Sequence, residues 1–356
     1  MKLDLHLPPE IAGMHQMFTV AGKQLFVVGG AIRDAILGVP NKDIDLATDA
    51  EPNEVLAIAR KNGLKSLEVG KAFGVVMING HEIATFRKDI GSGRHPDSVE
   101  FTDLQTDTNR RDLTINALAY NITTGEVIDH VGGINDLKNR IVRTVGNPAD
   151  RFAEDPLRKM RALRFQARLG ATFDEDTFQT LKSDPSLPGI SGERIRDEFI
   201  KSIAKAKSPT EYLMTCDAIG IIKYILPELQ ITGPYIETDD YIILIAWILR
   251  KNSLTFLTTQ LNRLKYTVKE VHNIIFLVDL QNFDPSDIFV YKTKQKRTNL
   301  TNEQIIAFGS LIGYDFQKFV KFTLTVKRED LSPDLNGKEI GNTIRNFESK
   351  KYLEKK

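Results

Sequence analysis

The chain has 356 residues, which is more than one small core requires and suits two or three domains. Its composition, 41% apolar and 27% charged, is typical of globular proteins, and no apolar run approaches the ~20 residues that span a bilayer. The net charge of +1 excludes a wholly basic nucleic-acid coat, and the single cysteine, Cys216, excludes an internal disulfide and a zinc site of CxxC type.

The first elements in chain order are a strand, a tight turn and a short helix. The apolar run over residues 25–28 stops at Gly29-Gly30, and an amphipathic helix with Arg33 in its first turn follows. Backbone N–H groups after such a glycine pair are able to approach a phosphate. An ordinary strand-to-helix turn would have the same pattern, and the spacing matches neither a dinucleotide fingerprint nor a Walker A sequence.

A second strand carries two carboxylates. Side chains alternate along a strand, so Asp43 and Asp45 would share one face while Ile44 and Leu46 point into a core. Two like charges ~6 to 7 Å apart repel each other. A divalent cation would remove that repulsion, and Mg²⁺ prefers oxygen ligands. A solvent-facing strand edge is the alternative.

A hairpin over residues 75–86 supplies a third acid. Its Asn79-Gly80 pair predicts a type I′ turn, and Glu82 lies on the second strand. Three carboxylates on neighbouring strands beside a glycine turn would suit a two-metal phosphoryl-transfer site.

The pattern becomes helical from Pro148 onward. The stretch 155–170, DPLRKMRALRFQARLG, has an Asp cap, a proline in the first turn and a glycine stop. Helices are predicted to about residue 330, and the charged tail 350–356 is expected to fray. The basic segment 291–297 is expected to be a solvated loop, with phosphate binding as the alternative.

Six motifs follow one another in order: VVGGAIRDAILG…DIDLAT, EIATFRKD, RRDLTINALAYN, IDHVGGINDL, AEDPLRKMRALRFQARL and GERIRDE. Over roughly residues 20 to 230 they resemble the motif series of class II tRNA nucleotidyltransferases, the CCA-adding enzymes of the polymerase beta-like and poly(A) polymerase superfamily. The resemblance implies an α+β fold, with a mixed-sheet nucleotidyltransferase head at 1–147. An all-helical neck for base recognition at 148–230 and a tRNA-binding body and tail at 231–356 would follow.

The implied activity is template-independent addition of CCA to the tRNA 3′ end from CTP and ATP, with release of pyrophosphate. By the resemblance, Asp43 and Asp45 would hold Mg²⁺ in a two-metal mechanism, and Glu82 would complete the catalytic carboxylates. Residues Gly29, Gly30 and Arg33 would face the triphosphate.

The RRD motif fits this scheme chemically. The adjacent guanidinium groups of Arg110 and Arg111 would grip phosphate, and Asp112 would accept a hydrogen bond from the ribose 2′-hydroxyl. Asn116 lies four residues beyond Asp112 and would share its helix face. The alternative is a capped helix start with solvated arginines.

The helix from 155 would read the base. Cytosine and adenine both present an amino donor beside a ring acceptor, which one carboxylate and one guanidinium match. The resemblance assigns this role to Asp155 and Arg158, and it adds Arg161 and Arg164 to the nucleotide contacts. Capping of the helix by Asp155 alone is the competing interpretation.

Several rival functions share these motifs. A poly(A) polymerase would use only ATP, and a CC-adding or A-adding enzyme would perform part of the reaction. The segment 87–112 after the third acid looks complete, which favours full CCA addition. A non-catalytic RNA-binding module would not need the intact acids. The expected partners are the tRNA acceptor end, CTP and ATP, with no membrane and no obligate protein partner. The expected location is the cytoplasm, although an organelle remains open.

Overall fold

The computed structural model describes residues 1–40, 43–68, 70–91, 97–230, 236, 238–332 and 334–354. The chain divides into two compact units, residues 1–189 with 205–207 and residues 190–204 with 208–356. The predicted head at 1–147 lies within the first unit, and the predicted neck at 148–230 contributes residues to both.

Strands lie mainly in the first 130 residues. They are β1 Leu25–Val28, β2 Asp45–Thr48, β3 Ser66–Leu67, β4 Val75–Ile78, β5 His81–Thr85, β6 Arg87–Ile90, β7 Ser98–Phe101, β8 Ala119–Asn121, β9 Glu126–Ile128, β10 Ile141–Val142 and β11 Thr172–Phe173. Seven of them form one sheet in the order β3-β4-β5-β2-β1-β8-β9. Strands β6 and β7 form an antiparallel pair, and β10 and β11 form a parallel pair.

The helices of the first unit cover the sheet and then extend beyond it. They are α1 Pro9–Val20, α2 Gly30–Ile36, α3 Pro52–Lys61, α4 Leu104–Asn109, α5 Gly133–Asn139, α6 Pro148–Glu154, α7 Leu157–Leu169 and α8 Glu175–Ser183. The next helix, α9, spans Gly192–Lys205.

The remaining helices belong to the second unit. They are α10 Pro209–Ile219, α11 Ile222–Ile225, α12 Tyr241–Leu249, α13 Leu254–Arg263, α14 Val268–Asp279, α15 Ile288–Gln295, α16 Asn302–Leu311, α17 Gln317–Lys321 and α18 Gly337–Glu354. No helix in the described ranges is both long enough and apolar enough to cross a membrane.

The central strands are apolar on both faces because both faces are covered. All four residues of β1 are buried. One face packs in a core with α1 and α3, and the other forms a smaller cluster that includes Phe26, Ala47 and Phe86. Burial on both sides explains why the run over 25–28 does not alternate. The predicted strand, glycine turn and helix are confirmed.

The predicted hairpin is also confirmed. Residues Asn79 and Gly80 have φ values of 49° and 88° between β4 and β5. Positive φ at both turn residues is the mark of a type I′ turn. The turn therefore places Glu82 on β5 as expected.

The helix predicted at 155–170 is α7, which ends at Gly170 in the left-handed conformation with φ 57°. The expectation that the tail frays is wrong as far as residue 354, since α18 runs to Glu354. Tyr352 is buried and its ring centroid lies 5.0 Å from that of Phe322. This aromatic contact stabilises the end of the helix.

The basic segment at 291–297 is not a loop over most of its length, because α15 includes its first five residues. Tyr291 is buried, and Lys294 Nζ lies 2.6 Å from the Asp279 carboxylate. The ammonium group of Lys292 lies 4.7 Å from the centre of the Phe319 ring, and burial lowers its pKa to about 8. Two of the lysines are therefore packed or paired.

Candidate active site

Two of the three predicted acids, Asp45 and Glu82, lie on neighbouring strands of the sheet. Strand β2 begins at Asp45, so Asp43 precedes the strand and does not lie inside it as predicted. Leu46 is buried and Ile44 packs against the same core, as expected. Strands β2 and β5 are parallel with Leu46 opposite Ile83, so Asp45 and Glu82 precede paired residues.

The electrostatics of Asp45 reflect its neighbours. Its side chain reaches solvent, yet enough protein surrounds it that burial raises its pKa; the guanidinium of Arg111 opposes this shift and Asp43 adds to it. Among the described residues, no group of three or more His, Cys, Asp or Glu side chains is close enough to hold a metal. The structure therefore brings Asp43 and Asp45 together as a pair.

The glycine turn lies beside this pair. Gly29 has φ 74°, and a Cβ atom there would lie 3.5 Å from Arg111 Nη1 and 4.0 Å from Asp45 Oδ2. Both distances are ordinary van der Waals contacts, so it is the backbone conformation that favours glycine here. The Gly29 N–H donates to the carbonyl oxygen of Leu118 at 3.0 Å. The Gly29 N–H is therefore not free to bind phosphate. Gly30 is the first residue of α2.

Arg33, predicted to face the triphosphate, is buried in an ion-pair network. It donates to Asp34 Oδ1 from Nε at 2.9 Å and from Nη2 at 2.8 Å, and to Asn116 Oδ1 at 2.5 Å. The Asp34 carboxylate also accepts two hydrogen bonds from Arg168, both at 3.2 Å. Burial lowers the pKa of Arg33, and the negative charge of Asp34 counters that effect. The side chain is therefore held in one orientation.

The Phe165 ring of α7 lies near an arginine of α2 and two arginines of α7. The guanidinium carbon of Arg33 lies 4.6 Å from the centre of the Phe165 ring, and that of Arg164 lies 4.3 Å away. Arg161 is more distant from this ring, at 6.0 Å. The planar groups of the two nearer arginines share an aromatic neighbour, which is a favourable arrangement.

Asp112 is a second centre of hydrogen bonding. Its Oδ2 accepts from Arg161 Nε at 2.6 Å, and its Oδ1 accepts from the Leu113 N–H at 2.8 Å and from Asn116 Nδ2 at 3.4 Å. Burial by itself raises the pKa of Asp112, but Arg161 and the hydrogen bonds lower it overall. The backbone over Thr114–Asn116 is a 3₁₀ turn and not the expected α-helix. The side chains of Asp112 and Asn116 nevertheless meet.

The two neighbouring arginines, Arg110 and Arg111, share one carboxylate but otherwise contact different parts of the structure. The Asp107 carboxylate, 1% exposed, accepts from Arg110 Nη2 at 2.7 Å and from Arg111 Nη2 at 3.1 Å. Arg110 also donates to the Arg87 carbonyl oxygen at 3.0 Å and pairs with Asp89 at 3.4 Å. It therefore fastens β6, whereas the remaining face of Arg111 is directed toward Asp45.

The alternative of a helix start with solvated arginines does not fit, because α4 ends at Asn109 and both side chains are about four-fifths covered. Sequence reasoning missed Asp107. Its spacing of three and four residues from the two arginines was the available signal.

The base-reading candidates are Asp155 and Arg158. Asp155 Oδ1 accepts from the Leu157 N–H at 3.1 Å, so the capping contact of the alternative interpretation is present. Arg158 contacts Glu154 at 2.5 Å and the carbonyl oxygen of Arg110 at 3.2 Å. The second contact joins α7 to the RRD segment.

Two sequence models of known domains match segments of this chain. The sequence model of the poly(A) polymerase head domain matches residues 25–143. A second model, described as the probable RNA and SrmB-binding site of polymerase A, matches residues 170–231. The two matches together cover just over half of the chain. Over these two segments the chain belongs to the poly(A) polymerase family.

Members of this family with similar sequences are named CCA-adding enzymes. That of Ligilactobacillus salivarius is 42% identical over 212 residues, which are 57% of this chain and 51% of that protein. The Bacillus velezensis protein is 40% identical over 211 residues, 57% of this chain and 52% of its own. The chain thus spans about half the length of the curated relatives it matches.

A solved structure is similar along almost the whole chain. The Bacillus stearothermophilus CCA-adding enzyme in complex with CTP has a TM-score of 0.70 and 26% identity, and the match covers 97% of this chain and 94% of that one. The expected α+β class with a polymerase-type head and a helical remainder is confirmed. The likeness extends past residue 230, where the motif series is weak.

Proposed function

We propose that this chain adds CCA to the 3′ end of tRNA, using CTP and ATP and releasing pyrophosphate. The observation that carries the proposal is the Asp43–Asp45 pair beside the Gly29 turn, with Arg111 as the neighbouring cation. Relatives named CCA-adding enzymes and the similar structure with bound CTP support it.

Nucleotidyltransferases of this family generally use divalent metal ions, and we assign Mg²⁺ to Asp43 and Asp45. The donor set fits, because hard carboxylate oxygens suit Mg²⁺ and because the mutual repulsion of the two acids would be relieved by a cation. When bound, the metal would activate the 3′-hydroxyl and neutralise charge on the pyrophosphate. Substrate phosphates would supply further oxygens, and Glu82 would act from the neighbouring strand.

The protein's own residues bind and orient the nucleotide in this proposal. Arg111 binds phosphate, because its guanidinium group lies at the Gly29 turn while Asp107 holds its other side. Asp112 accepts from the ribose 2′-hydroxyl through Oδ2, whose second lone pair is not used by Arg161. Arg33 and Asn116 keep this carboxylate in place through their hydrogen bonds. Arg110 would contribute by fastening the site.

Base selection falls to α7. The Asp155 carboxylate would accept from the amino group of cytosine or adenine, while the Arg158 guanidinium would donate to the ring nitrogen. Guanine and uracil present the opposite pattern and would leave buried groups unpaired. Arg161 and Arg164 would complete the nucleotide contacts from the same helix.

The helical residues bind the tRNA acceptor end in this scheme, and the boundaries 1–147, 148–230 and 231–356 remain our proposed division. The loop over 91–97 would assist the final addition of A. Its residues 92–96 lie outside the described ranges. A cytoplasmic location also stays a prediction.

The test uses tRNA from which the 3′ end has been removed. The chain is incubated with this tRNA in the presence of Mg²⁺ and each labelled NTP, and the products are sequenced. CC followed by A supports the proposal. Long tails of A alone would indicate a poly(A) polymerase. Addition of C alone, or of a single A, would indicate a partial enzyme. Binding of tRNA without extension would indicate a non-catalytic module. Asp45→Asn should abolish both additions, whereas Asp4→Asn, at an exposed carboxylate of the same unit, should not.

A further inference from the structure

A cleft of about 360 Å³ lies in the first unit between the ends of α2, α5 and α7. Its volume is within the range of ~300 to 1,000 Å³ that is usual for ligand pockets. None of the residues assigned above to the metal, the nucleotide or the base lines it. The cleft is therefore a separate place on the molecule.

The charge of the lining is positive. Three cations, Arg140, Arg168 and Lys207, face one carboxylate, Asp34. Asp34 is engaged by Arg168 and also by Arg33, which lies outside the cleft. The lining as a whole therefore attracts an anion.

Each cation has different ties. The Lys207 ammonium donates to the Leu169 carbonyl oxygen at 2.9 Å, and Arg168 bonds Asp34 through one of its nitrogen atoms, Nη2. The Arg140 guanidinium has no hydrogen-bond or ion-pair partner among the described residues. A ligand could therefore bind the donors of Arg140 without breaking a contact among the described residues.

The backbone of Arg140 is itself unusual. The residue follows α5 with φ 53° and ψ 51°, the left-handed conformation in which glycine is normal after a helix. A side chain with a Cβ atom is unfavourable there. An arginine held in that conformation at the rim of a basic cleft points to a function for its side chain.

The rest of the lining is apolar. Leu37 and Val39 are 40% and 44% exposed, and Leu137 is buried. Apolar wall next to clustered cations suits a ligand that carries a phosphate on one side and a ring on the other.

We propose that this cleft binds a nucleotide unit, with its phosphate on Arg140, Arg168 and Lys207 and its sugar or base against Leu37 and Val39. The unit could come from a free nucleoside monophosphate or from an internal position of an RNA. The site does not depend on the proposed transferase activity, because it uses other residues and its test needs no turnover.

Protection of an introduced thiol tests the site. The natural Cys216 is fully buried and burial raises its pKa to about 12, so it does not compete for an alkylating reagent. Val39→Cys in the full chain is alkylated with and without AMP, in EDTA to keep metal out of the active site. At ten times Kd, AMP should slow the reaction roughly tenfold. Val20→Cys, at an exposed position outside the cleft, should not change.

Arg140→Gly in the Val39→Cys background supplies the decisive comparison. It should remove the protection while the melting temperature stays the same or rises, because glycine suits the left-handed conformation. Lys138→Ala removes a charge from the same helix outside the cleft and should leave protection intact.

Further ligands complete the test. Protection by a short single-stranded RNA at lower concentration than AMP identifies RNA as the source, and the reverse identifies a free nucleotide. Equal protection by adenosine or by inorganic phosphate alone would overturn the proposal, since one half of the lining would then be unused. The absence of protection at millimolar AMP and RNA, or its survival in Arg140→Gly, would overturn it as well.

Discussion

Replacement of Asp107 by asparagine should loosen the phosphate side of the candidate active site. The carboxylate is almost fully buried, and it binds Arg110 twice, Arg111 once and the Arg87 N–H. An asparagine keeps an acceptor at one oxygen, but its amide group points a donor at a second donor. The two arginines would then lose the carboxylate that they share, and Arg110 would keep only its longer ion pair with Asp89 at 3.4 Å.

The magnitude follows from this burial. Removal of one partner from a fully buried ion pair costs about 3 to 5 kcal/mol. Arg110 and Arg111 are 23% and 21% exposed, so water can replace part of the lost contact. We therefore expect Asp107→Asn to lower the free energy of unfolding by about 2 to 3 kcal/mol. The KM for NTP should rise as Arg111 becomes less ordered, while the choice among nucleotides should stay the same.

Urea unfolding followed by circular dichroism measures the first effect, and steady-state kinetics with CTP and ATP measure the second. Asp103→Asn is the matched control, because Asp103 caps the same helix α4 from an exposed position and asparagine caps equally well. A stability change below ~0.5 kcal/mol in Asp107→Asn, together with an unchanged KM, would refute this account of Asp107.

Other predictions follow from the same geometry. Both Asp107 and Asp112 have lowered pKa values, so they stabilise the fold above the unfolded-state pKa of about 3.9, and this stability should be lost as the pH falls through their lower folded values. Acid unfolding of the wild type should be steeper than that of Asp107→Asn, and equal slopes would contradict this. Gly29→Ala should cost about 1 to 3 kcal/mol, because residues with a Cβ atom rarely adopt its φ of 74°, and the resulting shift of the turn should reduce turnover; full activity would contradict it. Asp155→Asn should keep the helix cap but relax discrimination against GTP and UTP, measured as ratios of kcat/KM; unchanged ratios would leave capping as its only role. Binding of tRNA should weaken linearly with log salt, and a flat plot would rule out multiple phosphate contacts.

Local sequence was sufficient for the elements around the candidate site. The apolar run of β1, the glycine turn, the Asn79-Gly80 hairpin and the stop of α7 at Gly170 each follow from short-range propensity and steric restriction. Strand alternation predicted that Asp43 and Asp45 would lie near each other, and the two carboxylates do interact, although Asp43 precedes the strand. Local errors arose where packing overrode composition, as in the lysines of α15 and the charged end of α18.

Only the tertiary structure decided which predicted residues act on one another. Asp34 meets Arg168 across 134 positions of the chain, and Arg161 meets Asp112 across 49. Such contacts depend on how α7 lies against the head, which no periodicity in a single sequence encodes. The sequence alone therefore predicted the residue types that would bind phosphate and metal. The fold decided which arginine we expect to contact the substrate, because a buried guanidinium must first satisfy a nearby carboxylate.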